Sequence, residues 1–192
     1  MTTLLKAPLK VLDRMTEDEF FWFCAANPDL RVERNRHGQI ILMTPTGSET
    51  GIFDSALTTE ISVWNRRTKL GKTSGSSAGF TLPDTSVKSA DVAWIQNERW
   101  ENLSAADRKK FAHVCPDFVA EIQSPSDSHT ELQGKMAEWI GNGCRLGWLI
   151  DPKKRRVEIY TPGKTSAGNW NSLSGEEILP GLWIDLAEIF EM

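Results

Sequence analysis

The chain has 192 residues, of which 40% are hydrophobic and 25% are charged, values that are ordinary for a soluble globular protein. The length corresponds to one domain, so we expect residues 1–192 to form a single folded unit. The formal net charge is −4, which argues against a protein that grips long nucleic acid nonspecifically.

No stretch approaches the length of a membrane-spanning helix, and residues 1–8 lack a long apolar signal region. We therefore expect a cytoplasmic protein with no membrane partner. Cys24, Cys115 and Cys144 are odd in number and lack close ligand spacing, which indicates neither a disulfide framework nor a structural zinc site. We interpret them as small buried hydrophobes.

The N-terminal region predicts a helix followed by a hairpin. Residues 16–19, Thr-Glu-Asp-Glu, have the capping-box pattern that starts a helix, which should end near Asn27-Pro28. The runs 30–33 and 39–43 then predict two strands joined by a turn that contains His37, which we interpret as a surface turn residue.

A long helix is predicted from about Glu49 to Lys69, because apolar residues recur at helical spacing: Phe53, Leu57, Ile61 and Trp64. Glu49 lies at its beginning, where the exposed amides and the helix dipole favour an acid.

The middle of the chain predicts two strands. Residues 71–79 are small and polar and suit either a substrate-side loop or a sheet bulge, before a short strand at 80–82. Asp91 begins the next strand, with Ala93 and Ile95 on its own face of the sheet. Short helical pieces are expected over residues 97–110.

The most informative stretch is 116–125, which predicts a strand with one charged face. Side chains alternate along a strand, so Glu121 and Gln123 share the face opposite to Phe118, Ala120 and Ile122. A buried carboxylate is costly unless it is paired or binds a metal, so Glu121 requires a cation. Two carboxylates on neighbouring strands, Asp91 and Glu121, can bind one hard divalent ion together with substrate phosphate, as a metal-dependent phosphodiesterase needs.

The following helix can be capped by Ser128 and Glu131, and its buried stripe holds four residues: Leu132, Met136, Trp139 and Ile140. Lys135 falls at the edge of this stripe, so its stem could lie on the sheet while its ammonium reaches the carboxylates. The alternative is a surface pair with Glu131 or Glu138. His129 has no second His or Cys at ligand spacing, and we expect it to be solvent-exposed.

The C-terminal part predicts a buried strand at 145–151, paired with a strand at 157–160. An outer strand near 170–173 and a final turn at 182–185 should follow. Helices and strands in this order predict an α/β fold, with a mixed sheet flanked by helices.

Asp91, then Glu121-Ile122-Gln123 on the next strand, then a helix bearing Lys135, resembles the PD-(D/E)XK nuclease superfamily. The surrounding sequence resembles the Uma-type branch of restriction-endonuclease-like proteins from about Met15 to the C-terminus, in four stretches: 43–47, 115–121, 124–127 and 147–152. The resemblance implies a restriction-endonuclease-like core with an N-terminal helix-hairpin and extra C-terminal strands.

The same resemblance implies an endonuclease that hydrolyses DNA phosphodiester bonds with Mg²⁺, or with Mn²⁺ in its place. It implies Asp91, Glu121, the backbone carbonyl of Ile122 and Glu49 as metal ligands, Glu49 being the third acid that the superfamily often takes from its first helix. The superfamily's usual lysine corresponds to Gln123, which can bind a water but brings no charge. Either Lys135 has taken over that role, or catalysis is weakened or lost.

Two alternatives remain open. The chain could be a nucleic-acid-binding module that keeps the fold without turnover, or an interaction domain whose Asp91 and Glu121 are paired with buried Arg or Lys. DNA is the favoured nucleic acid over RNA, and cleavage of a duplex would favour a homodimer. Three basic clusters are either solvated helix ends and turns or a local nucleic-acid track: 66–69, 108–110 and 153–156.

Overall fold

The N-terminal helix and hairpin form where the sequence predicts them. The structure is a computed structural model that describes residues 14–43 and 45–191, so the expectation about residues 1–8 lies outside the described residues. Helix α1 (Glu17–Ala26) begins with the predicted capping box, in which Thr16 Oγ1 accepts the Glu19 N–H and the Glu19 carboxylate accepts the Thr16 N–H. Strands β1 (Val32–Arg34) and β2 (Ile40–Leu42) form the antiparallel hairpin.

Helix α2 (Ser48–Thr68) follows, and its predicted apolar stripe is buried. The remaining elements, in chain order, are β3 (Gly71–Gly75), β4 (Phe80–Thr81), β5 (Val87–Lys88), β6 (Val92–Gln96), α3 (Asn97–Glu101), β7 (Ala112–His113), β8 (Phe118–Ile122), α4 (His129–Gly141), β9 (Leu146–Asp151), β10 (Arg156–Thr161), β11 (Lys164–Gly168), β12 (Ser172–Ser174), β13 (Trp183–Asp185) and α5 (Leu186–Phe190).

A six-stranded mixed sheet organises these elements, in the order β11-β10-β9-β8-β6-β3. The central β8–β9 pair is parallel and the other pairs are antiparallel. A smaller sheet, in the order β2-β1-β5-β4-β7, joins the N-terminal hairpin to two short strands before β6 and to β7 after it. Mixed sheets with flanking helices confirm the predicted α/β class.

The two faces of the six-stranded sheet pack against different helices. Phe118, Ala120 and Ile122 of β8 share a core with the stripe of α2. Val119, on the opposite face, packs with Met136 of α4 and the buried residues around it. Because side chains alternate, the face that carries Val119 is also the face of Glu121.

The interpretation of residues 71–79 as a loop or bulge is wrong for Gly71–Gly75, which forms the edge strand β3. Small polar residues and glycine have low strand propensity, so the sequence contains little sign of this strand. A side chain at Gly71 would clash with the Ile95 carbonyl oxygen and with the Trp94 ring. The glycine therefore permits the close contact between β3 and β6.

None of the helices in the described ranges combines the length and the apolar character that crossing a membrane requires.

Candidate active site

A cleft of about 370 Å³ opens beside Asp91 and Glu121, and its walls include residues of the N-terminal helix-hairpin, α2, β8 and α4. Of the residues that the structure describes, five acidic side chains line it: Glu33, Asp54, Asp91, Glu121 and Asp127. Two basic side chains of the same residues, Arg31 and Lys135, line the cleft. The formal charge of these lining residues is therefore negative.

Asp91 immediately precedes β6, and Glu121 lies on the neighbouring strand β8. Val92 pairs with Ala120 in the antiparallel β6–β8 ladder, so the register extended by one residue places Asp91 opposite Glu121. Asp91 Oδ2 accepts the backbone N–H of Ile122 at 2.7 Å. Burial raises the pKa of Asp91 to about 6, and the nearby acids Asp54 and Asp127 act in the same direction.

Glu121 is 3% exposed and is held by two donors from α4. Lys135 Nζ lies 3.0 Å from its Oε1 and 3.1 Å from its Oε2, and the Trp139 indole N–H donates to Oε1 at 2.9 Å. Burial raises the pKa of Glu121 to about 8, because the attraction of Lys135 does not compensate for the lost hydration and for the like charges of Asp91 and Glu33.

Lys135 contacts three oxygen-bearing groups within the cleft. Besides Glu121, its Nζ lies 3.0 Å from Glu33 Oε1 and donates to the Ser89 carbonyl at 2.7 Å. Burial alone would lower the pKa of Lys135, but the Glu121 and Glu33 carboxylates raise it, so the ammonium keeps its charge. The alternative pairing with Glu138 on the helix surface is not formed, since Glu138 instead binds Lys88 at 2.7 Å.

Gln123 does not line the cleft. Its Oε1 lies 2.8 Å from His129 Nδ1, and His129 Nε2 lies 3.1 Å from Glu158 Oε1. The expectation that His129 is solvent-exposed is wrong, because these contacts leave its side chain only 33% exposed. A search for a second His or Cys at metal-ligand spacing does not find the partners of His129. These are Gln123, six positions before it, and Glu158, 29 positions after it.

Of the two other predicted metal ligands, Ile122 lines the cleft and Glu49 does not. Glu49 is exposed in the first turn of α2 and does not line the cleft. The acid that α2 brings to the cleft is Asp54, whose pKa burial raises and whose Oδ1 accepts the Thr58 hydroxyl at 3.2 Å. Ile122 does line the cleft, and because its N–H points to Asp91, its carbonyl points to the same side of the extended strand.

Glu33 and Trp139 are site residues that sequence reasoning missed as such. Glu33 belongs to the hairpin, and nothing in a three-residue strand predicts that it reaches Lys135. Trp139 was predicted as core, which is correct for its ring, but its indole N–H donates to Glu121. A buried Trp needs a partner for this N–H, and that requirement was the available signal.

The oxygen donors fit a hard divalent cation. Across 14–43 and 45–191, no three His, Cys, Asp or Glu side chains converge in an arrangement that could hold a metal ion. Mg²⁺ needs no such cage, because it keeps several waters and usually takes one or two carboxylates together with substrate phosphate. Asp91, Glu121 and the Ile122 carbonyl are donors of this kind. Glu121 would have to exchange part of its contact with Lys135 for the ion.

The family model Uma2, described as "Putative restriction endonuclease", matches residues 17–187. A solved structure from Anabaena variabilis, described as that of a "putative nuclease belonging to DUF820", matches with a TM-score of 0.73 and 21% sequence identity, covering 92% of this chain and 98% of that chain. At this identity the likeness shows a shared fold. The chain has no match among the curated proteins. Because the family model spans most of the sequence, the resemblance seen in the sequence is confirmed and the chain belongs to the Uma2 family.

Proposed function

We propose that the protein is a metal-dependent nuclease that hydrolyses phosphodiester bonds in DNA, with Mg²⁺ as its ion and Mn²⁺ as a substitute. The single observation that carries the proposal is the meeting of Asp91, Glu121 and Lys135 at one cleft. Family membership supports the same class of reaction, and so does the description of the Anabaena variabilis protein as a nuclease.

The charge of the cleft supports a bound cation. Five carboxylates and two basic groups of residues 14–43 and 45–191 line it, and Lys135 is already shared between Glu33 and Glu121. A phosphodiester anion would be repelled from such a surface. A divalent cation at Asp91 and Glu121 would reverse the local charge and make the cleft receptive to phosphate.

Each residue of the site would have a separate role in hydrolysis. Asp91, Glu121 and the Ile122 carbonyl would hold the ion, while the Ile122 N–H orients Asp91 and the Trp139 N–H orients Glu121. When bound, Mg²⁺ supplies Lewis acidity, which polarises a phosphoryl oxygen and lowers the pKa of a coordinated water. The Lys135 ammonium offsets the charge that develops on the phosphoryl oxygens in the transition state.

Arg31 is the basic residue of the cleft best placed to contact substrate. Its guanidinium donates to Ser76 Oγ at 3.3 Å, and it forms no ion pair within 4.0 Å in the described part of the chain. Burial raises the pKa of Asp54 in the same cleft and the charge of Arg31 lowers it, but because no such ion pair is formed, the N–H groups of Arg31 can bind a phosphate in pairs. We assign it to the flanking phosphate of the bound strand.

One observation favours a second, non-catalytic function. Glu121 is already paired with Lys135, and such a pair is expected in an interaction domain whose buried acids are neutralised by basic residues. Asp91 distinguishes the two proposals, since no cation of the described residues lies within 4.0 Å of it and burial holds its pKa at about 6. A metal site explains why such an acid is buried without a cation. In a domain held together by ion pairs, the same acid would only destabilise the fold.

The decisive experiment incubates purified protein with supercoiled plasmid, single-stranded DNA and RNA, each with Mg²⁺, Mn²⁺ or chelator. The proposal predicts metal-dependent cleavage of DNA that the Asp91→Ala variant lacks. Linear product without prior nicking would support paired active sites in a homodimer. Absence of cleavage with either ion, or cleavage retained by Asp91→Ala, would contradict the proposal.

A further inference from the structure

Glu33 belongs to the N-terminal hairpin, outside the sheet that carries Asp91 and Glu121, yet it is 3% exposed and lines the same cleft. A buried carboxylate needs partners. Its partners are all groups of the candidate active site or of the segment that leads to it.

Glu33 and Lys135 together bind both backbone groups of Ser89. Glu33 Oε1 accepts the Ser89 N–H at 3.2 Å, and Lys135 Nζ donates to the Ser89 carbonyl at 2.7 Å. The two side chains also contact each other at 3.0 Å. This closed ring fixes the backbone two residues before Asp91.

Glu33 also supplies a counter-charge to a second buried lysine. Lys88 Nζ lies 3.5 Å from Glu33 Oε2 and 2.7 Å from Glu138 Oε2. Among the described residues, the Glu138 carboxylate forms an ion pair with Lys88 and with no other basic group, and its side chain is 50% exposed. The two glutamates therefore share one partner but differ in whether they touch Lys135 and Ser89.

We propose that Glu33 is a positioning residue: it holds the Lys135 ammonium between Glu121 and the Ser89 carbonyl, and it fixes the segment that presents Asp91. The N-terminal hairpin thereby completes the active site. The catalytic part of this inference rests on the proposed function, whereas the placement of Lys135 and Asp91 does not.

The test compares Glu33→Gln with Glu138→Gln. Glutamine keeps the shape of Glu33 and an acceptor for Ser89 but removes the charge that holds Lys135. We expect Glu33→Gln to lower kcat by about 10- to 100-fold with little change in KM, the usual cost of losing an orienting partner. Glu138→Gln removes one carboxylate from Lys88 in the same way and should leave both constants unchanged.

A spectroscopic readout separates the inference from the nuclease activity. The Trp139 indole N–H reports on Glu121, and the Ile122 amide reports on Asp91. We expect both nitrogen–proton resonances to move in Glu33→Gln and to stay in place in Glu138→Gln. The inference is overturned if they stay in place in Glu33→Gln, or if the two variants affect kcat equally. A wild-type protein that cleaves no nucleic acid would refute the proposed function, while these resonances would still decide the role of Glu33.

Discussion

Asp91, just before β6, and Glu121 of β8 line one cleft, but of the two only Glu121 contacts the ammonium of Lys135. Asp91 is oriented instead by the backbone N–H of Ile122. The two acids therefore meet the cleft in different states, one paired with a cation and the other held by the strand. Substitutions of the two acids, or of the groups that contact them, should therefore have different effects.

Lys135→Met should reduce kcat/KM for DNA cleavage by two to three orders of magnitude, about the cost of removing a group that stabilises transition-state charge. It also leaves Glu33 and Glu121 without their shared cation, so we expect the free energy of unfolding to fall by about 3–5 kcal/mol. Gln123→Ala loses a contact with His129 outside the cleft and should have a small effect. Equal, mild losses in the two variants would reject the role of Lys135.

Trp139→Phe should lower activity by about 10-fold, because it removes the indole N–H that orients Glu121 while an aromatic ring remains. The same change should raise the pKa of Glu121 further, since this hydrogen bond lowers it. Trp148→Phe is the matched control. Trp148 is fully buried, and its indole N–H has no partner in the described part of the chain, so its loss affects packing alone. Steady-state kinetics of both variants would contradict the assignment if Trp148→Phe were equally impaired.

Asp54→Asn should weaken metal-dependent cleavage more than Glu49→Gln does. Asp54 lines the cleft and adds negative charge beside Asp91, whereas Glu49 is exposed and lies outside the cleft. The measurement is the Mg²⁺ concentration that gives half-maximal cleavage, which should rise in Asp54→Asn only. A larger rise in Glu49→Gln would support Glu49, and not Asp54, as the third acid.

The metal-free protein should become less stable as the pH rises. Burial raises the pKa of Glu121 to about 8 and that of Asp91 to about 6, above the ordinary values of 4.5 and 3.8. At these two carboxyls the folded state binds more protons than the unfolded state between about pH 4 and about pH 8, so their contribution to the free energy of unfolding declines across this range. This stabilising contribution is fully present below the ordinary pKa values of the two acids. It is lost as the pH rises through their raised pKa values.

Urea unfolding in chelator, at about pH 5 and about pH 8, measures this dependence. In Glu121→Gln the side chain at this position cannot titrate. The free energy of unfolding of this variant should therefore decline less between the two pH values than that of the wild-type protein. An equal decline in both proteins would show that Glu121 does not carry the effect.

The sequence was sufficient for those parts of the fold and site that follow from periodicity. Two carboxylates on neighbouring segments, Asp91 and Glu121, were predicted to meet, and they line one cleft. The helical pattern leaves Lys135 between that cleft and the helix surface, and the contact with Glu121 decides it. The capping pattern of Thr16 and Glu19 predicted the first helix.

The rest depends on contacts between distant segments, which periodicity does not encode. Glu33 is 88 residues from Glu121 and meets the same lysine because the hairpin lines the cleft. Gly71 is explained by the close approach of Trp94, which becomes visible only once β3 and β6 are paired. Asp54 and Glu49 are both acids in the first two turns of α2, and burial alone distinguishes them.

Binding of Mn²⁺, followed by calorimetry in the absence of nucleic acid, tests the central claim most directly. We predict that the wild-type protein binds the ion and that Asp91→Ala and Glu121→Gln each lose it, with affinity that rises with pH because the two carboxyls must first release their protons. A wild-type protein that binds no ion, or variants that bind as tightly as wild type, would contradict the claim that these two acids form a metal site.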